Sequence, residues 1–336
     1  MMRRRGGFAV TTRPAMVAAT VAAVLLGASA LARQSVWGNF TSTAPDAGNT
    51  ITAAADFRAP SATGSAIGKT AGGIAGQIKK GATYYVYANA SDSGNPASGV
   101  ATITANVNSL TTGSTAVALT AGSFNANGVS YAYRSAAQTA GASLAAGTYS
   151  YSLTLTDVAG NSQTQSGFSV TVDNTGPTGT DVQTPSVGTT NGLAQAGDTI
   201  SFTFSKAIDP NSILAGWSGS STAVVLRLNN GSGSNNDTVT VFNSTNATQL
   251  PLGSVNLGRT DYTSANITFG ATGTASTMVM SSNTITVTLG TQSAAATTAA
   301  ATGSMIWTPS ASATDPAGNA SSTTAVTESG AADKDF

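Results

Sequence analysis

The chain has 336 residues, no cysteine and no histidine, and only 8% of it is charged, against roughly 25% in an average globular protein. Those absences exclude disulfide staples, thiol chemistry, imidazole proton transfer, Ser-His-Asp sites and almost every zinc site, leaving the oxygen-liganded metals as the ones the composition permits. Fourteen bases balance fourteen acids without forming a basic stripe, so the phosphate contacts that dominate nucleic-acid binding have no source and no such partner is expected.

The first element is an address. Arg3, Arg4, Arg5 and Arg13 precede an uncharged apolar run over 15–32 that ends Ala30-Leu31-Ala32. This reads as a signal helix for export over residues 1–32, with Ala30 and Ala32 as the small residues a signal peptidase requires. If retained, the same run is long enough to anchor the chain, which is the one route to a membrane that the sequence offers. Cleavage leaves ten bases against fourteen acids, a net charge of −4. In either case the rest of the chain is expected outside the cytoplasm, extracellular or on the cell surface.

Residues 33–57 read as a polar linker or an N-terminal strand segment. Ser35-Val36-Trp37-Gly38-Asn39-Phe40-Thr41-Ser42-Thr43, then Asp46-Ala47-Gly48-Asn49-Thr50-Ile51-Thr52-Ala53, resembles the start of proteins handled by SipW-type signal peptidases, the TasA and camelysin group. That resemblance implies a surface or biofilm-matrix destination.

Beyond the linker the apolar residues fall on alternate positions, the period of a strand with one buried face. Tyr84, Tyr85 and Tyr87 fall in one strand, with Tyr85 opposite in face to Tyr84 and Val86. Further runs are Ala101/Ile103/Ala105/Val107, Val129/Tyr131/Tyr133, Tyr149/Tyr151/Leu153/Leu155 and Phe168/Val170/Val172. The second half continues with Ile200/Phe202/Phe204, Val224/Leu226/Leu228, Val239/Val241, Ile267/Phe269 and Ile285/Val287/Leu289. Ser and Thr fill the intervening positions, and the branched Cβ of Thr favours strands. Turn formers separate the runs: Ser91 to Pro96, Ala121-Gly122, Asn125 to Gly128, Gly231 to Gly233 and Gly273. The Ala/Thr stretch from Ala294 to Ala301 is a loop or a short helix.

One phrase occurs twice, Thr156-Asp157-Val158-Ala159-Gly160-Asn161 and Thr314-Asp315-Pro316-Ala317-Gly318-Asn319. Asp caps its own backbone and Gly-Asn tolerates positive φ, so each copy reads as a hairpin turn near the end of a module. Asp173-Asn174-Thr175-Gly176-Pro177 then breaks the chain between the modules. The expected class is all-β: two tandem antiparallel β-sandwiches at 58–177 and 178–330, the second enlarged by an insertion around 229–280, followed by a C-terminal tail at 331–336.

Gly147-Thr148-Tyr149-Ser150-Tyr151 running into the 156–161 phrase and closing with Val172-Asp173-Asn174-Thr175-Gly176-Pro177 resembles the Ig-like repeats of bacterial surface proteins and adhesins. The stretch from Ala196 to Pro210 is similar to the opening of the related S-layer type of Ig-like domain. The resemblance implies a non-enzymatic structural or adhesion protein, whose partners are envelope or matrix proteins or glycans. Two alternatives accompany it: a polymerising matrix or filament subunit that exchanges its N-terminal segment as a strand, and a carbohydrate-binding module presenting Tyr85.

No cofactor is expected, and Ca²⁺ is the one metal left open. Asp92, Asp157, Asp173 and Asp181 lie in turns or at the domain junction, where Ig-like arrays hold calcium, although Asx-turn capping explains each of them too. Two carboxyls for glycoside hydrolysis would need a cleft with aromatics, and no Asp pair is embedded in aromatics. Tyr149 and Tyr151 fit the corner position of an Ig sandwich, and Trp217, Trp307 and Phe242 read as core.

Overall fold

The computed structural model describes residues 56–69, 74–185, 190–231 and 235–336, and residues 54–336 make one compact unit. The signal helix with Ala30 and Ala32, and the linker up to residue 55, lie outside the described residues. The unit is all-β and holds two sandwiches. No helix among the described residues is long and apolar enough to cross a membrane.

The first sandwich is built of β1 (Ser61–Gly68), β2 (Gln77–Ile78), β3 (Thr83–Ser91), β4 (Val100–Asn106), β5 (Val117–Ala126), β6 (Val129–Ser135), β7 (Gln138–Thr139), β8 (Gly147–Asp157) and β9 (Ser162–Val172). Its strands run in the order β1-β3-β6-β5-β4-β8-β9-β2, with β7 on β3. The opening of the chain is split between the two layers: β1 pairs antiparallel with β3 and β2 pairs parallel with β9. β5 crosses between layers, pairing first with β4 and then with β6. This is the connectivity of an Ig-type sandwich. The inward set, including Tyr84, Val86, Ile103, Leu153, Leu155 and Val170, forms one core, each large side chain contributing about 1.5–3 kcal/mol by leaving water. Tyr149 Oη donates to Ala145 O at 3.1 Å, the corner bond its position predicts, and Tyr151 Oη meets Ser65 Oγ at 2.9 Å.

The second sandwich comprises β10 (Gly179–Gln183), β11 (Thr199–Phe204), the single-turn α1 (Pro210–Ile213), β12 (Thr222–Asn229), β13 (Thr238–Asn243), β14 (Ser254–Asn256), β15 (Ile267–Phe269), β16 (Ser276–Ser281), β17 (Thr284–Thr288), β18 (Ile306–Thr308) and β19 (Val326–Thr327). Their order is β10-β11-β17-β16-β12-β13-β14-β18-β19, with β15 on β12. The region 229–280 holds β13, β14 and β15, which widen this body. Its core centres on Trp307, buried with Phe202 and Phe204 edge-on to its ring at 5.4 and 4.9 Å. Trp217 is buried as well, whereas Phe242 is only half-buried, beneath Arg227 at 3.6 Å.

Several details differ from the sequence reading. Ala121-Gly122 is not a separator; it lies inside β5, at a register shift between Ala121 and Phe124. The stretch from Ala294 to Ala301 has no regular element, and Ala299 is buried in the core. Residues 331–336 are not a free tail. Phe336 packs into the second core and Asp335 is 1% exposed, held by Thr184 and Tyr262, because an apolar ring three residues past Asp333 finds a dry place beside Tyr262.

Candidate functional site

The two copies of the repeated phrase make the same local structure. Asp157 Oδ1 accepts from Asn161 N and Oδ2 from Asn161 Nδ2, both at 2.8 Å; Asp315 accepts from Asn319 N at 2.8 Å and Asn319 Nδ2 at 2.9 Å. The Asn amide of each copy also reaches a second aspartate's main chain, at Asp56 O (3.1 Å) and Asp173 O (2.9 Å). Asp56 and Asp173 each stand four residues before a proline, at Pro60 and Pro177. Each accepts on Oδ1 from the N–H two residues on, Arg58 at 2.9 Å and Thr175 at 3.0 Å. The structural repeat therefore includes Asp56, in a stretch the sequence reading assigned to the linker.

The third corner differs. In the second module it is Lys206, just after β11, whose Nζ donates to Asp173 Oδ2 and to Asp315 Oδ2, the latter at 2.9 Å. Asp315 is fully buried, so this ammonium neutralises charge where water cannot. Burial opposes the charge on Lys206, but the two carboxylates outweigh it and raise its pKa; burial likewise opposes the charge on Asp173, and Lys206 and the Thr175 N–H prevail and lower its pKa. In the first module the corresponding residue, just after β3, is Asp92. Three carboxylates then converge: ligand oxygens of Asp56, Asp92 and Asp157 lie within 4.8 Å of one another. The N–H groups of Arg58 and Ser98 hold the Asp56 carboxyl below its ordinary range, and Gly99 N donates to Asp92 at 2.7 Å. Carboxylate oxygens are the donors an oxygen-seeking cation such as Ca²⁺ takes, and Asp56, Asp92 and Asp157 are the residues that would supply three of the six to eight it needs.

Of the four aspartates singled out by sequence, Asp92 and Asp157 are thus brought together. Asp173 is not free for calcium, because the cation at the module junction is the chain's own Lys206. Asp181 serves the second sandwich alone, accepting from Ser329 N at 2.8 Å and Ser329 Oγ at 3.1 Å. Sequence reasoning missed Asp56, although its D-x-x-x-P spacing matches that of Asp173. It also missed a second acidic group, Glu328, Asp333 and Asp335.

The junction that encloses the second copy of the phrase is made by the base of the first module. Lys69 Nζ lies 2.8 Å from Asp209 Oδ2 and donates to Asp315 O at 3.1 Å; Lys79 Nζ donates to Gly318 O at 2.6 Å. Ser322 N donates to Pro177 O at 2.8 Å, and Gly176 is so close that a Cβ there would stand 2.1 Å from Ala320 O. Beside these contacts a cleft of about 340 Å³ is lined by Ile74, Asn127, Pro210 and Trp217, with Asp209 its one ionisable group. Asp209 is committed to Lys69 and to capping α1 through Asn211 N.

Tyr84 and Val86 belong to the first core, while Tyr85 is excluded from it and half-buried, as the alternation along β3 predicts. Arg134 packs over the rings of Tyr85 and Phe124, at 4.8 and 4.4 Å. No family model matches the chain, and no curated protein or solved structure matches it either.

Proposed function

We propose that this is a secreted or cell-surface structural and adhesion protein of Ig-like modules, working without a catalytic step, with envelope or matrix proteins or glycans as partners. The observation that supports this reading best is the junction. Lys69, Lys79 and Lys206 tie two sandwiches through buried or half-buried charges and main-chain carbonyls, which suits a stiff element that holds loops and sheet faces at a fixed distance and orientation. Protease treatment of intact source cells tests the placement. Loss of the protein from undisrupted cells, or its presence in the medium, agrees with the proposal; a pool reached only after lysis contradicts it. The alternative of a polymerising subunit rests on the segment 33–57, nearly all of it outside the described residues.

A further inference from the structure

On the outer side of the first sandwich, β3, β5 and β6 assemble a small platform of aromatic rings around one cation. Arg134 lies opposite Tyr87 across the β3–β6 pair and opposite Thr120 across the β5–β6 pair. Its guanidinium carbon is 4.8 Å from the centre of the Tyr85 ring and 4.4 Å from that of Phe124. Beneath them Tyr87 is fully buried, with Tyr131 tilted against it at 5.5 Å.

Two backbone features place Phe124. The β5–β6 register shifts between Ala121 and Phe124, and such bulges re-aim side chains. Gly122 then lets the ring lie on the main chain, since a Cβ there would come within 2.7 Å of Phe124 Cζ. Tyr85, Phe124 and Arg134 are all half-buried, each keeping part of its surface open to solvent.

Arg134 takes part in none of the ion pairs found among the described residues. Its guanidinium lies over both rings and also hydrogen-bonds the Tyr87 hydroxyl, so the N–H groups not turned to Tyr87 are what a ligand would meet. Guanidinium N–H groups match a carboxylate in a two-bond fork, and the solvent-facing parts of the two half-buried rings add apolar area at small entropic cost. Exposed Ser123, Asn125 and Ser130 add polar groups along the same two strands.

We propose that Tyr85, Phe124 and Arg134 form a binding site for an acidic polysaccharide, the guanidinium taking a uronate carboxylate and the rings taking the sugar's apolar face. This site would operate wherever the protein resides, so it does not depend on the placement proposed above.

Electrophoresis of the full chain through native gels containing polygalacturonate or neutral dextran tests it. Retardation is expected in polygalacturonate and not in dextran. Arg134→Gln and Tyr85→Ala should each weaken it at least tenfold, and Arg134→Lys, which keeps the charge and loses the planar fork, should also weaken it. Melting curves of the variants identify any that fail to fold, and Arg134→Lys, the mildest change, then carries the comparison. Absence of retardation, equal retardation by dextran, or full retardation of folded Arg134→Gln would each overturn the assignment.

Discussion

Asp335 shows how single residues set the behaviour of this chain. Its carboxyl accepts from Thr184 Oγ1 and Tyr262 Oη, both at 3.0 Å, and has Glu328 and Asp333 as its ionisable neighbours. Burial foremost, then the Glu328 charge, pushes its pKa up to about 7, and burial raises Glu328 too. A carboxyl raised on folding stabilises fully below its unfolded value near 4, and that contribution fades as pH climbs through about 7. The melting temperature should therefore fall between about pH 4 and pH 7 and level off above, by an amount equivalent to a few kcal/mol. Asp335→Asn should flatten that slope, and a variant with the wild-type slope would contradict the assignment. Asp261 works in the opposite sense: its bond with Arg259 holds it at about 2, so its contribution is present above pH 4 and lost as acid approaches pH 2. Asp92 is the other informative residue. Asparagine there keeps an acceptor for Gly99 N and removes one of three converging negative charges, so Asp92→Asn should raise the melting temperature in calcium-free buffer, and a lower melting temperature would contradict this reading.

Among the elements, the long alternating strands were legible because one face of each meets a core. Ile103 and Ala105 in β4, Leu153 and Leu155 in β8, and Phe202 and Phe204 in β11 all point inward as their period requires. β5 was not legible as a strand, since Leu119 and Ala126 are its only buried residues and its bulge interrupts the period with Ala121-Gly122. β14, β18 and β19 have two or three residues each, too few to show any period. At the site, Asp157 stood out by its repeated phrase and Asp92 by its turn, whereas Asp56 carried only the D-x-x-x-P spacing it shares with Asp173, and its tie to the others is a hydrogen bond from Asn161, 105 positions away. The turn from Asp173 to Pro177 also depends on close approach. A methyl group on Gly176 would collide with Ala320 O at 2.1 Å, so Gly176→Ala should cost about 1–3 kcal/mol; urea titration showing no loss would mean that the junction yields easily.

Across the whole molecule, the two modules share one kind of end and use it differently. The second module closes its Asp173–Asp315 pair with Lys206 and buries the turn against its neighbour, leaving Pro316 and Ala317 out of water. The first leaves the same turn open, with Val158 70% exposed and Phe57, next to Asp56, 71% exposed. The proposed structural role as a stiff two-module body rests on the closed junction. Removing Lys206 strands a fully buried Asp315 carboxylate, a change worth about 3–5 kcal/mol where a buried pair is broken. Differential scanning calorimetry of the wild type beside Lys206→Met tests this most directly. One cooperative transition for the wild type, splitting into two in the variant as the modules uncouple, is the predicted result; two transitions already present in the wild type and unmoved by the substitution would contradict it.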